Sequence, residues 1–261
     1  MSRTVAMMQP YWFPYFGYFQ LIAGADAFVL GDSLQYVHPG WVNRNRLLSS
    51  GAATLFTLPL KKDHSDLAIN QRELSDNAPQ VLDKLLKSIA MSYSRAPYRD
   101  EVLALLKPLL TYPERNLALY LEYSLRKVCE YLQIDTPIHV MSTLPVDQRQ
   151  VQDKQDRVVK LARHFDAQRY LNPIGGTALY DEEYFARHDL ELRFHRMDEL
   201  CYTQFKDPFV ANLSIIDVLM FNPVSRIRQW LPCYSTLKPS AAQDTVKVVT
   251  SPSAHAIEMR S

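Results

Sequence analysis

The chain of 261 residues is 47% hydrophobic and 22% charged, an ordinary globular composition with enough length to bury a large core. Its formal net charge is +1, with basic residues dispersed apart from the short run Asn43-Arg44-Asn45-Arg46, so electrostatics make no case for nucleic acid or an acidic membrane as partner. Three cysteines lack CxxC spacing and seven histidines form no HxxxH or HExxH pair, which points to a reducing, cytoplasmic setting and to no metal ligand set.

TVAMM (4–8) reads as a short buried strand. Between Tyr11 and Phe19, seven of nine residues are aromatic, interrupted by Pro14 and Gly17. The breaks, with Gln9, Pro10 and Gln20, exclude the unbroken apolar core of a signal peptide, and no run approaches the ~20 residues of a membrane span. Residues 15–25 carry apolar positions at helical spacing, closed near Gly24, and 26–32 read as a second buried strand. Strand, helix and strand within this length form a βαβ signature and imply parallel pairing.

Residues 33–50 read as an irregular polar loop, and 54–58 as a strand closed by Pro59. Three helices follow. The first, 78–93, has Pro79 in its first turn and a stripe of Leu82, Leu85, Leu86 and Ile89; the second, 98–107, stops before Pro108; the third is 116–132. Alternation then resumes with a strand at 137–142, helix at 150–164, strand at 169–173, short helix at 180–187, strand at 190–194 and helix at 214–221. The expected fold is α/β, with a mostly parallel, Rossmann-like (nucleotidyltransferase-like) sheet and a helical insertion at about 78–132. A single domain is expected over 1–235, with a flexible tail over 236–261.

Such sheets bind ligands beyond the carboxyl ends of their strands, which selects the loops 9–17, 32–46, 142–149, 172–177 and 195–212. The first offers Gln9 and the polar-tipped aromatics Tyr11, Trp12, Tyr15 and Tyr18, read either as core packing or as a ligand floor. The second offers Asp32 for a sugar hydroxyl or amine, Gln35, Tyr36, Asn43 and Asn45 for neutral hydrogen bonds, Trp41 as a stacking face, and Arg44 with Arg46 for phosphate. Its alternative is a polar surface loop. In 170–181, Asn172, Tyr180 and the Gly175–Gly176 pair present donors to an anion or simply make a tight turn. In 201–223, Tyr202 and Gln204 precede Ser214, a candidate helix N-cap, and Asp217, which is expected to be half-buried and paired with an arginine from 44–46 in either a structural or a catalytic role.

Four ordered stretches, MQPYWFPYFGYFQLI, DSLQYVHPGWVNRNR, YLNPIGGTALYD and YTQF…LSIIDVLMFN, together resemble the WbqC-like protein family over about residues 4–235. The resemblance implies a setting in bacterial O-antigen and other surface-polysaccharide gene clusters, where amino sugars are decorated. The chain departs from that pattern at Gly31-Asp32-Ser33, where one carboxylate replaces a pair, and near His38, where a basic residue is absent. A weaker fold-level similarity to nucleotidyltransferases and pantothenate synthetase sets Tyr15-Phe16-Gly17-Tyr18 where those enzymes carry H-x-G-H. Tyrosines donate hydrogen bonds but cannot supply the positive charge that histidines offer ATP.

The resulting expectation is a transferase that forms an amide on a nucleotide-linked amino sugar, with Asp32, Gln35 and Asp217 as its catalytic groups. The acyl group would come from acyl-CoA, an aminoacyl donor or ATP-dependent activation. The alternatives are an ATP-dependent amide ligase and a non-catalytic module that binds a nucleotide sugar or glycan intermediate.

Overall fold

The computed structural model describes residues 2–146, 150–206 and 208–242. Five parallel strands and one antiparallel edge strand form a six-stranded sheet. They are β1 (Thr4–Met8), β2 (Ala27–Leu30), β5 (Ile138–Val140), β6 (Arg169–Pro173), β7 (Glu191–Met197) and β8 (Tyr234–Leu237), in the order β5-β2-β1-β6-β7-β8. From β1 the chain steps outward to β2 and β5, then returns to β6 on the opposite side of β1. That reversal opens a crevice beyond the carboxyl ends of β1 and β6, the switch point of a Rossmann-like α/β fold.

The strand runs are apolar without alternation because both faces of the sheet are covered. Ala6, Phe28, Leu30 and Leu171 point into one layer, formed by α1 (Phe16–Ala23), α2 (Ala78–Ser92), α3 (Arg99–Leu110), α4 (Leu117–Leu132), α7 (Ile215–Phe221) and α8 (Val224–Trp230). Val5, Met7, Val29, Tyr170 and Phe194 point into the other, against α5 (Lys154–His164) and α6 (Glu182–Ala186). Among the described residues, no helix is long and apolar enough to cross a membrane.

Several sequence readings need correction. The region 33–50 is not all loop, since Arg44–Ser49 forms β3, which pairs antiparallel with β4 (Ala52–Thr57). Helix α3 runs past Pro108 to Leu110 because a proline so near the end frees few carbonyls. Helix α8 and strand β8 complete the sheet layer after 221, so Thr236 and Leu237 belong to β8 rather than to a tail. The remainder of the expected tail from 243 onward lies outside the described residues, as do 147–149 and 207 in two of the selected loops. Gly24 does close α1, and its lack of a side chain has a packing reason. A Cβ there would sit 2.3 Å from the Tyr234 hydroxyl of β8.

Candidate functional site: a canyon along the carboxyl edge

The aromatic segment after β1 divides by depth. Trp12, Phe13, Phe16, Tyr18 and Phe19 are buried core, while Tyr11 and Tyr15 are only partly covered. Tyr18 therefore leaves the list of ligand contacts; its hydroxyl donates to the Gln9 carbonyl at 2.8 Å and braces the loop from beneath. Burial raises the phenol pKa of Tyr11, Tyr15 and Tyr18, so all three keep neutral hydroxyls.

Three distant segments meet on the carbonyl of Phe13, whose φ of 43° lies in the left-handed region that bulky residues avoid. The amide of Asn45 donates to it at 2.7 Å and the hydroxyl of Ser214 at 2.8 Å. Ser214 also caps α7, accepting from the Ile216 N–H, and its own N–H donates to the Arg46 carbonyl. Ser214 thus shapes the site from beneath, and Asn45, which also lines the small cleft beside Trp41, has its amide engaged on Phe13.

Four clefts lie side by side along this edge and share lining residues. A small one of about 220 Å³ lies between Tyr11, Tyr15, Trp41, Arg46 and Asn212. Tyr15 and Asn212 also border a cleft of about 560 Å³ beside Tyr202, and Tyr11 borders the switch-point cleft of about 590 Å³. That central cleft gathers Gln9, Gln35, Asn172 and Tyr180 with Lys154 and Arg157 from the start of α5. Gln35 then forms part of a fourth cleft, about 780 Å³, with Tyr36, Asn43 and Arg72. Most of the neutral polar and aromatic candidates from the sequence therefore converge, although they come from loops over 160 residues apart. The side-chain amide of Gln9 donates to the Gln35 carbonyl at 3.0 Å, joining the β1 and β2 loops. In the fourth cleft, the Tyr36 hydroxyl donates to Asn43 at 2.8 Å.

Arg44 and Arg46 are two residues apart on β3 and so share a face of the strand. Both guanidiniums lie 5.5 Å from the centroid of the exposed Trp41 ring. Arg44 donates to the Gly40 carbonyl, and among the described residues neither arginine has a carboxylate partner. Guanidiniums that, among the described residues, donate only to backbone carbonyls, Arg44 to Gly40 and Arg46 to Asn212, keep donors for a phosphate attached to a flat ring on the indole.

The two carboxylates expected to be catalytic are placed otherwise. Asp32 is 4% exposed and lines none of these clefts. Its oxygens accept from the Ser142 N–H at 2.9 Å, the Ser142 hydroxyl at 2.5 Å and the Asn70 amide at 3.0 Å. A carboxylate held by three donors, and closed to solvent, is a tie between β2 and the turns after β5 and β4 rather than a base. Asp217 is fully buried and, among the described residues, has no arginine partner. It accepts from the hydroxyls of Tyr93 at 2.7 Å and Tyr202 at 2.6 Å, and from the Gln204 amide at 2.8 Å. Burial raises its pKa, and the three donors offset part of that effect. Tyr93 in turn accepts from the Leu48 N–H, so the cluster pins the hairpin to α7. Tyr93 escaped the sequence reading because a tyrosine closing an amphipathic helix looks like core; Ser142 and Asn70 carry no motif at all.

The Gly175–Gly176 pair lies in a 3-10 turn over Ile174–Leu179 and does not border the switch-point cleft. Gly176 is needed for close approach, because a Cβ would sit 2.2 Å from the Asn172 amide nitrogen. A Cβ on Gly175 would meet nothing within 4 Å, so of the pair Gly176 alone has a packing role. Sequence reasoning missed Arg72, Lys154, Arg157 and Asn212, which carry no local motif and reach the canyon only through the fold.

Fold and site together define a Rossmann-like α/β protein with an aromatic, amide-rich and cationic canyon at its switch point. The chain belongs to the WbqC-like protein family, which it matches over residues 9–229. It is 28% identical over 227 residues to the uncharacterized protein Rv1507c of Mycobacterium tuberculosis (strain ATCC 25618 / H37Rv), covering 84% of this chain and 94% of that one. No solved structure matches it.

Proposed function

We propose that the canyon binds a nucleotide-linked amino sugar and brings its amine to an acyl donor for amide formation. The observation that carries the proposal is the pairing of Trp41 with two arginines that lack carboxylate partners among the described residues, beside a cleft lined by neutral amides. The nucleobase would stack on Trp41, the diphosphate would lie on Arg44 and Arg46, and the sugar would reach toward Gln9, Gln35 and Asn172. With Asp32 and Asp217 both occupied, the reaction would depend on approximation and on amide donors to the oxyanion. The amine's proton would pass to solvent or to a lining carboxylate such as Asp153 as the thiolate or phosphate of the acyl donor leaves. The same occupied carboxylates favour a second reading, in which the site binds such a molecule without turning it over.

Titrating the protein with UDP-, dTDP- and GDP-linked amino sugars while following tryptophan emission tests the binding. Trp12 is buried and Trp230 lines none of the four clefts, so quenching by a stacked base should vanish in Trp41→Phe. Affinity should fall about 10- to 100-fold in an Arg44→Gln/Arg46→Gln variant and should weaken with added salt. No saturable response from any of these sugars would end the proposal. Mass spectrometry after incubation with acyl-CoAs, or with amino acids and ATP, separates the two readings. A new amide mass marks the enzyme; binding without product marks the module.

A further inference from the structure

The fourth cleft contains a charge that nothing above uses. Arg72 is 7% exposed and is the one buried lysine or arginine among the described residues. Its Nη1 donates to the His64 carbonyl at 2.9 Å, its Nη2 reaches the Lys61 carbonyl at 3.4 Å, and its guanidinium lies 4.7 Å from the centroid of the Tyr36 ring. Its Nε has no partner, and no carboxylate among the described residues forms an ion pair with it. A guanidinium stays charged in any protein setting, and burying that charge unpaired is costly. The buried carboxylates, Asp32 and Asp217, each hold three donors, whereas Arg72, like the half-buried Arg46, leaves its Nε without a partner.

The surroundings favour an anion. Exposed Lys62 borders the same space, whereas Lys61 is already paired with Glu73 at 2.6 Å. The one carboxylate on the lining, Asp63, is exposed and accepts from the His64 N–H. Asn43 and Tyr36 are tied to each other and to the Leu58 carbonyl, giving a stiff wall. Gln35 and Val37 line both this cleft and the switch-point cleft, so the two are neighbours.

We propose that Arg72 and Lys62 form an oxyanion subsite that holds the phosphate end of a second substrate, whose other end passes Gln35 to the switch point. Two cations suit a multiply charged phosphate better than a single carboxylate. The reach to the switch point rests on the reading of the canyon as a nucleotide-sugar site; the subsite itself does not.

Calorimetric titration with sodium pyrophosphate, in an Arg44→Gln/Arg46→Gln background that removes the other arginine pair, tests the subsite. Saturable one-to-one binding is expected, weakened about tenfold by Lys62→Gln and at least as much by Arg72→Lys. Lys62 is exposed, so its variant stays informative if Arg72→Lys fails to fold, as judged by circular dichroism. Malonate, titrated in parallel, should bind more weakly; equal or tighter malonate binding would overturn the assignment to phosphate. Absence of pyrophosphate binding in the folded background, or binding indifferent to Lys62→Gln, would overturn the subsite. Trp41 quenching by nucleotide sugars, measured in Lys62→Gln, reports separately on the canyon. Its absence alongside pyrophosphate binding that weakens on Lys62→Gln would sink that reading and leave the subsite standing.

Discussion

Asp32 shows how far a residue's chemistry depends on neighbours that its local sequence does not contain. An aspartate at the end of a parallel strand is a sound candidate for a sugar hydroxyl or an amine, and it does fall at the carboxyl edge. Its occupants come from Ser142 and Asn70, 110 and 38 residues away, with nothing in the sequence to mark them. Asp217 repeats the lesson, since its donors are tyrosines and an amide instead of the expected arginine. Asp32→Asn should lower stability by about 1–3 kcal/mol, because a buried network loses an acceptor and gains an unmatched donor. Urea unfolding checks this. Unchanged stability combined with abolished amide formation would return the carboxylate to the reaction.

At the scale of elements, legibility followed periodicity. The helices α2 and α4 repeat leucines on one face, and their positions are readable to within a residue or two. Of the β3–β4 hairpin only the second strand, read at 54–58, was visible; β3 was hidden because its first inward position, Asn45, is polar and serves the Phe13 carbonyl. Leu47 follows on the same face, but the neighbouring Leu48 is buried too and breaks the alternation. Short elements such as α8 and β8 gave too few turns or residues for a pattern. The hairpin's task gives a prediction. Asn45→Ala should cost about 1–2 kcal/mol and loosen the 9–15 loop, weakening nucleotide-sugar binding while leaving both arginines in place. Thermal unfolding and the Trp41 titration read the two effects; unaltered affinity in a destabilised variant would separate the loop from the site.

For the whole molecule, the mostly parallel sheet, and hence the carboxyl edge on which the canyon lies, was readable once parallel βαβ units were recognised; the order of the strands was not. The occupants of the canyon's walls were less readable than its edge, because Arg72, Arg157 and Asn212 reach it only through folding. The sheet also sets the response to acid. His195 on β7 packs 4.7 Å from the Tyr234 ring, and burial lowers its pKa to about 4. The native state therefore resists a proton that the unfolded chain accepts near 6.5. Its contribution to stability is complete above that value and is lost as pH falls toward 4, a total of roughly 3 kcal/mol. Denaturation midpoints measured from pH 7 to 4 should show this slope in the wild type and a flatter one in His195→Gln. Equal slopes would mean that the imidazole is not the sensor.

The Phe13 carbonyl carries one further consequence, for synthesis on the ribosome. Its two side-chain donors stand 32 and 201 residues later in the chain. Contacts that distant are slow to form and come late. A nascent chain that has exposed everything up to β7 would still lack Ser214 and the α7 cap, leaving the left-handed turn at Phe13 without half its support. Ligand recognition would therefore emerge only as the final quarter of the polypeptide docks, so truncated translation products should display the sheet's early strands without competing for the sugar nucleotide.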